Sequence, residues 1–571
     1  MVETCSPVKP APLVARLSPT ERHPRAQSAA AVGGYLVLSL AWFGLPVLTR
    51  FSSSYVGGGG PDAKLFMWSL AWWPHALSHG LNPLITHAVW APNGYNLTWA
   101  TTIPGPSLAV SPITIAAGPI AAYNVLALLA APLAAWTTFL LCRHVTRTFW
   151  PSVLAGYVFG FSSYQLGHLR GQVNLVLVFL VPLLVLLVLR RLEGVITQRR
   201  FVVLLVALLL AQLSISTEIL ATVTVFGVAA LLLGGIFGTA DIRARLLGLA
   251  RPMLTGYAIT AAIVSPFLYF MVWGPGITKR FNTIGSGADL LNFAVPTDVT
   301  RLGGTSFQAV TDRFTGPLAG HGAYLGLPLL VILVHFVARN RRSLVGKILA
   351  SMLVLTGVAS LGPSLKVGGH QVMPLPWRAM GPVPLVNKAL PGRFTMYVFL
   401  ISALVVAVWL TEAARRGRWR WRWMLAGLAV VSLLPAAPAF WKTTPRQPAF
   451  FATGEYTRYL PPHANILVLS PGAPGEPMLW QAQARMGFAM ASGYLGAIPE
   501  GLGDPRLAKD LYHGRLPESA DAELRSFLEN QHVQALVVER GLRNLELGIV
   551  PEQVGGVRLY LLPNAKGSPA S

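Results

Sequence analysis

Charge is what this sequence has least of. Of its 571 residues only 12% are Asp, Glu, Lys or Arg, while 53% are hydrophobic. A soluble chain needs about twice that charge to cover its surface, so a water-soluble globule is excluded and a polytopic membrane protein is expected. Acidic residues are scarcer still: 22 Asp and Glu against 45 Lys and Arg leave a net charge of +23. In a soluble protein that excess points to nucleic acid, but in a membrane protein it is first a statement about topology; no nucleic-acid partner is expected. Cysteine is almost absent. Cys5 and Cys142 both fall on the predicted cytoplasmic side, so no disulfide is expected. A signal-peptide cleavage site is missing as well: the first apolar run ends in Thr49-Arg50 without small residues, and reads as an uncleaved anchor.

What is present is a series of apolar runs long enough for a bilayer, near 29–49, 121–142, 150–163, 173–190, 201–215, 217–237, 253–273, 321–338, 344–362, 394–412 and 423–440. That makes about eleven transmembrane helices. With a cytoplasmic N-terminus, every dense basic cluster falls on one side: Arg143 and Arg147; Arg190, Arg191, Arg199 and Arg200; Arg243, Arg245 and Arg251; Arg339, Arg341 and Arg342; and Arg415, Arg416, Arg418, Arg420 and Arg422. The same parity requires the run 201–237 to split near Ser214 to Thr217. It also requires the run 105–118, broken by Pro106 and Pro112, to lie on or dip into the outer leaflet without crossing.

The expected organisation is a disordered cytoplasmic tail over 1–28, a mainly α transmembrane region over 29–440, and a small extracytoplasmic α/β domain over 441–571. The last rests on strand-like runs at Ile466–Leu469, Val533–Val538 and Val557–Leu562 that alternate with helix-like segments at Met478–Arg485 and Ala520–Asn530.

Three features place candidate chemistry on the extracytoplasmic face. The first is the loop 51–104, charge-poor and rich in tryptophan (Trp68, Trp72, Trp73, Trp90, Trp99). Its helix-like piece over 62–78 opens with Asp62 behind four glycines and Pro61. Asp62 stands where an N-cap would, so a helix cap beside an interfacial aromatic belt is the competing reading. The second is a set of cations on the side that topology keeps poor in them: Arg170, Lys279, Arg280, Lys366, Arg378, Lys388 and Arg393. Such groups suit phosphate, which arginine engages through two donors, and lipid headgroups are their other partner. The third is polar material near membrane depth: Glu218, and the stretch Gln165–Asn174 containing His168 and Arg170. An ionisable group among apolar ones faces a cavity or a partner, and Glu218 has either a substrate role or a structural ion pair with Arg170.

Other signals are weak. Gly57 to Gly60 lack the preceding strand and the Gly-Lys-Ser/Thr ending of a phosphate loop. His75 and His79 have i, i+4 spacing and His87 lies nearby, but no carboxylate or cysteine completes a zinc pattern, and no metal or other cofactor is expected.

The layout, and the stretches Trp72–Pro83, Ala121–Asn124, Phe159–Tyr164, Leu375–Trp377 and Leu390–Phe394, resemble the GT-C superfamily of membrane glycosyltransferases. Within it the chain looks like a group of actinobacterial membrane proteins often placed with YfhO-like or ArnT-like enzymes. The resemblance implies a bacterial plasma-membrane enzyme with a GT-C-like first outer loop, over 51–120, carrying membrane-parallel helices. It also implies sugar transfer from a polyprenyl-phosphate donor to an extracytoplasmic glycan, lipid or protein. By position Asp62 matches the family's loop carboxylate, the general base on the acceptor hydroxyl. Lys279, Arg280 and Arg393 would then meet phosphate, and Lys64, His168, Arg170 and Glu218 would line the substrate cavity. Asp62-Ala-Lys64 departs from the Asp-x-Asp or Asp-Glu pairs of many members, which argues against metal-dependent chemistry. A transporter or flippase, or a non-catalytic envelope scaffold, are the alternative readings.

Overall fold

The computed structural model describes residues 24–275, 287–315, 321–380, 389–415, 419–472, 474–496, 498–499, 502, 504–516 and 521–563. Helix α1 (Pro24–Ser39) continues through a π-helical turn over Leu40–Gly44 into strand β1 (Tyr55–Val56). Helix α2 (Pro61–Ser78) follows, then the short pair β2 (Ile85–Thr86) and β3 (Tyr95–Asn96). Helix α3 (Pro104–Ala109) leads into α4 (Ser111–Thr146), which is interrupted at Gly118 (φ 86°, ψ 169°), just before Pro119. Only the part beyond Gly118 is long enough to span. The segment expected to lie along the membrane is thus α3 plus the first turns of α4, both far short of the roughly 20 residues a crossing needs.

Helices α5 (Phe149–Gly160), α6 (Ser163–Leu169), α7 (Val173–Val176) and α8 (Leu180–Leu192) come next. Then α9 (Gln198–Ile215) and α10 (Thr217–Phe237) are separated by Ser216 alone. Ser216 is extended (φ −158°, ψ 113°), and its hydroxyl accepts from Ile219 N–H, so one residue both ends a helix and caps its successor. The predicted split falls there. Helix α11 (Ala240–Ile263) abuts α12 (Ser265–Trp273); α13 (Gln308–Thr311) is a single turn; α14 (Leu327–Asn340) and α15 (Leu344–Ser360) are shorter apolar helices. A hairpin of β4 (Ser364–Val367) and β5 (His370–Pro374) precedes α16 (Thr395–Arg415) and α17 (Trp419–Ser432).

Among the described residues seven segments are long and apolar enough to cross a membrane, Arg25–Gly44, Ser111–Thr146, Val173–Leu192, Gln198–Ile215, Thr217–Phe237, Ala240–Ile263 and Pro391–Ala413. The chain is a multi-pass membrane protein, and the remaining four predicted spans coincide with helices that are shorter or divided. Helices α4 and α16 form the buried centre, whereas α10 and α11 leave Val225, Leu232, Ile236, Leu247 and Leu254 exposed. Apolar side chains turned outward on that scale suit hydrocarbon and not water.

After the last helix of the bundle, β6 (Lys442–Thr443) pairs antiparallel with β1, setting Tyr55 against Thr443 and Val56 against Lys442. The remaining elements are α18 (Ala449–Ala452), β7 (Asn465–Leu469), α19 (Glu476–Gln483), β8 (Ala489–Met490), α20 (Pro505–Tyr512), α21 (Asp521–Asn530), β9 (Ala535–Glu539), β10 (Glu552–Val554) and β11 (Val557–Leu561). They build a five-stranded sheet in the order β10-β11-β9-β7-β8, with β7 parallel to both β8 and β9 and the outer pair antiparallel. Ile466, Leu467, Val468, Val537 and Val538 are buried, as strands covered on both faces require.

This sheet is not appended to the bundle but seated on the first loop. Met490 N–H donates to Ala88 O and Ala91 N–H to Met490 O, both at 2.9 Å, so β8 is extended by the loop. Trp68 Nε1 donates to Gln481 Oε1 at 2.6 Å, and the Gln481 amide donates to Ala88 O and Phe488 O. Of the loop tryptophans that the competing reading put in an interfacial belt, Trp68 and Trp90 pack into this seam, against Gln481 and Gly493; Trp72 and Trp73 are also buried, and Trp99 is half-buried. Trp68 and Trp72 place their indole N–H on acceptors, Gln481 Oε1 and Pro83 O, while Trp73 and Trp90 leave theirs buried without a partner among the described residues.

Candidate functional site

Asp62 is the second residue of α2, not its cap. The N-cap is Gly60, and no side chain caps the helix. The carboxylate is bonded across the structure: Oδ2 accepts from Gln172 Nε2 at 2.9 Å and Oδ1 from the Tyr494 hydroxyl at 3.0 Å. Gln172 lies between α6 and α7, and Tyr494 follows β8, so three distant parts of the chain meet at one carboxylate. The carboxylate fixes the orientation of the Gln172 amide, leaving Gln172 Oε1 buried with no partner among the described residues. Burial and the negative charge of Asp62 both push the Tyr494 phenol above its ordinary value, so it stands as a proton-bearing donor.

The chain reaches this point through a tight passage. Gly58 N–H donates to Arg170 O at 2.9 Å, and the Thr443 hydroxyl donates to Gly57 O at 2.7 Å. Gly57 has φ +146°, and a Cβ on Gly58 would stand 2.6 Å from Arg170 Nε. The glycine run therefore lets backbone lie against Arg170, and phosphate binding does not explain it. Upstream, the Asn124 side chain of α4 takes Val56 N–H at 2.9 Å and donates to Phe51 O and Ser54 O at 2.9 and 2.8 Å, fixing where the loop leaves the bundle.

The cations expected to bind substrate are largely engaged with protein. Lys64 is buried; its ammonium donates to Gly59 O at 2.6 Å and pairs with Glu476 at 3.3 Å. Burial holds the Glu476 carboxyl above its ordinary value despite the opposing pull of Lys64. Arg170 pairs with Asp298 at 2.9 Å and lies over the Phe440 ring. The expected alternative of an Arg170–Glu218 pair is not formed. Glu218 pairs with Arg393, and its Oε1 is buried without a partner among the described residues. Lys366 donates to the Thr315 hydroxyl at 2.7 Å and Arg378 is exposed. Lys279, Arg280 and Lys388 lie outside the described residues.

Around the Glu218–Arg393 pair is a second polar cluster. The Tyr397 and Thr222 hydroxyls are 2.7 Å apart, and the Tyr164 hydroxyl donates to Leu175 O at 3.0 Å. His168 is buried with its ring against Tyr164, and its Nδ1 donates to Tyr164 O at 3.0 Å. Burial first, then the charge of Arg393, press this imidazole down to about 3. His168 is therefore neutral across the physiological range, with Nε2 as acceptor. The segment α6–α7 carries both clusters, since it presents His168 to Arg393 and Gln172 to Asp62. Asp62 and the Glu218–Arg393 pair thus border one segment without touching each other, the Asp62 carboxylate at the seam with the sheet and the ion pair among the helices.

Gln172 lies inside the polar stretch that the sequence marks, but nothing in the sequence singles it out. Asp298, Glu476 and Tyr494 are missed altogether. Their partners are more than 100 residues away, and no local spacing encodes such a contact.

No protein-family model matches the chain, and no curated protein matches it with significance. Similarity is found among solved structures. The mycobacterial arabinofuranosyltransferase AftD is 14% identical with a TM-score of 0.55, over 93% of this chain and 37% of that one, so this chain spans little more than a third of that enzyme's length. The Archaeoglobus fulgidus oligosaccharyltransferase, solved with a tethered acceptor peptide, is 13% identical with a TM-score of 0.46, over 90% of this chain and 69% of that one. ArnT from Cupriavidus metallidurans is 9% identical, also with a TM-score of 0.46, over 95% and 99% of the two chains. Judged by the first of these, the chain has the fold of the GT-C membrane glycosyltransferases.

Proposed function

We propose that this protein is a membrane glycosyltransferase that moves a sugar from a polyprenyl-phosphate donor to an extracytoplasmic acceptor, with inversion. The observation that carries the reading is the state of Asp62: on a GT-C fold, the carboxylate at the head of the first loop helix caps nothing and is aimed by two side-chain donors. Side chains that orient a carboxylate without serving the helix are what a general base needs.

In the proposed step the acceptor hydroxyl gives its proton to Asp62 as its oxygen bonds to the anomeric carbon. The bond from that carbon to the phosphate oxygen breaks, and the leaving polyprenyl phosphate keeps the electron pair. Arg393 supplies positive charge to that phosphate, with Lys279 and Arg280 as further candidates. For Arg393 to do so it must share its guanidinium between Glu218 and the phosphate, which five donors in a planar fork allow. His168, neutral and buried, accepts a hydrogen bond and contributes no charge, while Lys64 and Arg170 hold the loop and the sheet in place. On this reading the N-terminus is cytoplasmic and Asp62 lies outside a bacterial plasma membrane, an orientation that the one-sided basic clusters support. Acceptor classes under this reading are an envelope glycan, a lipid or a protein.

The test is turnover of synthetic polyprenyl-phosphate sugars by the purified protein in lipid, set beside Asp62→Asn, which preserves size and removes the base. Loss of turnover in a folded Asp62→Asn protein is the expected result. Full activity in that variant would remove Asp62 from the chemistry, and no turnover of any donor would move the reading to transport or scaffolding.

A further inference from the structure

The base of the proposed reaction sits on the first loop, yet one of its two donors comes from the far end of the chain. Tyr494 is held from two sides. Its backbone N–H meets Met478 Sδ of α19 at 3.2 Å, and its ring stacks on Tyr512 of α20 with centroids 5.1 Å apart. The neighbouring Gly493 lies against Val89 and Trp90 of the loop. A shallow cleft beside it, at the carboxyl ends of β7 and β8, is lined by Ser470, Ser492 and Tyr512 among others. Tyr512 therefore has one surface on that cleft and its ring on Tyr494, which touches Asp62.

Resting on the glycosyltransferase reading, we propose that Tyr494 is a positioning residue for the Asp62 base, so that the C-terminal sheet supplies part of the active site and is more than a module for partners. Gln172 bonds to Oδ2 and Tyr494 to Oδ1, and two donors on different oxygens fix both the rotation and the tilt of the carboxylate, which one donor would leave free to turn. Each oxygen has a second lone pair for the acceptor hydroxyl. Tyr494 suits the task better than serine or threonine would, because its hydroxyl stands on a rigid ring clamped by Tyr512.

The charged or titratable groups on these elements that bear on the Asp62 region include Lys64 on α2, Glu476 on α19, Arg170 after α6, Tyr123 on α4 and Tyr512 on α20. In Tyr494→Phe all of these remain, along with the ring stack, and only the donated hydrogen bond is removed. Loss of a donor to the carboxylate favours its protonated form. Tyr494→Phe is therefore expected to lower kcat roughly 10- to 100-fold with little change in the donor KM, and to move the acid limb of the pH–rate profile to higher pH. A purely structural tyrosine would lower the amount of folded protein without moving that limb.

Infrared spectroscopy gives a readout free of turnover. The carboxylate band of Asp62, isolated as the difference between the natural protein and Asp62→Asn, should titrate at higher pH in the Tyr494→Phe background. An unmoved band, or an unmoved acid limb with full kcat, overturns the proposal. The two readings fail separately: an active Asp62→Asn enzyme sinks the role of the base, whereas an inactive Asp62→Asn beside an unaffected Tyr494→Phe sinks only the role of Tyr494.

Discussion

Lys64 and Glu476 form an ion pair at 3.3 Å with each side chain only 6% exposed, joining the first loop helix to the C-terminal sheet. Removing one partner of such a pair leaves a buried charge uncompensated, which costs about 3–5 kcal/mol. Glu476→Ala is therefore expected to lower stability by about 3 kcal/mol or more, read as a fall in the thermal midpoint in detergent. Double replacement of Lys64 and Glu476 by Met should recover much of that loss. If the single and double variants lose the same amount, the pair is not what joins the two parts.

The pH dependence follows from the same pair. The folded Glu476 carboxyl is held above its unfolded value, so the folded state binds more protons in the window between the two. Stability from this group is then fully present below the ordinary value of 4.5 and declines as pH rises from there through the folded value. Glu476→Gln should flatten that part of the stability curve; an unaltered slope would show that another group sets it.

Asn124 tests the start of the loop. Asn124→Ala strands Val56 N–H and the carbonyls of Phe51 and Ser54, and each buried group left unmade costs about 1–3 kcal/mol. Destabilisation of about 3 kcal/mol or more is expected. Turnover should fall further than the folded fraction does, because Asp62 is delivered by this segment. Equal losses in both would separate the anchor from the site.

His168 answers to pH in the opposite sense to a switch. With its folded value near 3, it stays neutral from pH 5 to 8, and it destabilises the fold progressively as pH drops below its unfolded value of 6.5. His168→Gln should leave the shape of the pH–rate profile between 5 and 8 unchanged while improving acid tolerance. A profile limb that vanishes in this variant would make His168 an acid or base in its own right.

Gly475 probes the seam. A Cβ there would stand 2.8 Å from Pro61 O and 3.0 Å from Pro61 Cα, backbone atoms that cannot swing aside. Gly475→Ala should part α19 from α2, seen as faster amide hydrogen exchange over 61–78 and lower activity with the bundle intact. Unchanged exchange would mean that the sheet gives way locally instead.

The bundle was legible from hydrophobic runs because each run reports its own burial, and even the break at Ser216 followed from charge parity along the chain. Short helices such as α5, α14 and α17 blurred the span count, because the apolar runs that predicted them extend beyond the residues that are helical. Asp62 was legible as a lone carboxylate on a charge-poor loop. Its cap-like spacing was misleading, for the local signal of an N-cap cannot register a tyrosine 432 positions later. For the loop tryptophans the sequence left a belt open as the competing reading, since composition cannot tell a buried seam from a bilayer boundary. The cations were legible as exceptions to topology, but their partners Asp298 and Glu476 carry no mark in the sequence.

The pairing of β1 with β6 ties the residues just after the first membrane helix to those just after the last. A chain that emerges from the ribosome in order holds Asp62 early, but neither that strand pair nor the tyrosine hydroxyl exists until synthesis is nearly finished. Closing so long a loop costs more entropy than any local contact in the bundle. Newly made protein should therefore pass through a membrane-inserted stage in which Asp62 has only one of its two side-chain donors, and a truncated product would sit in the bilayer with that carboxylate free to turn.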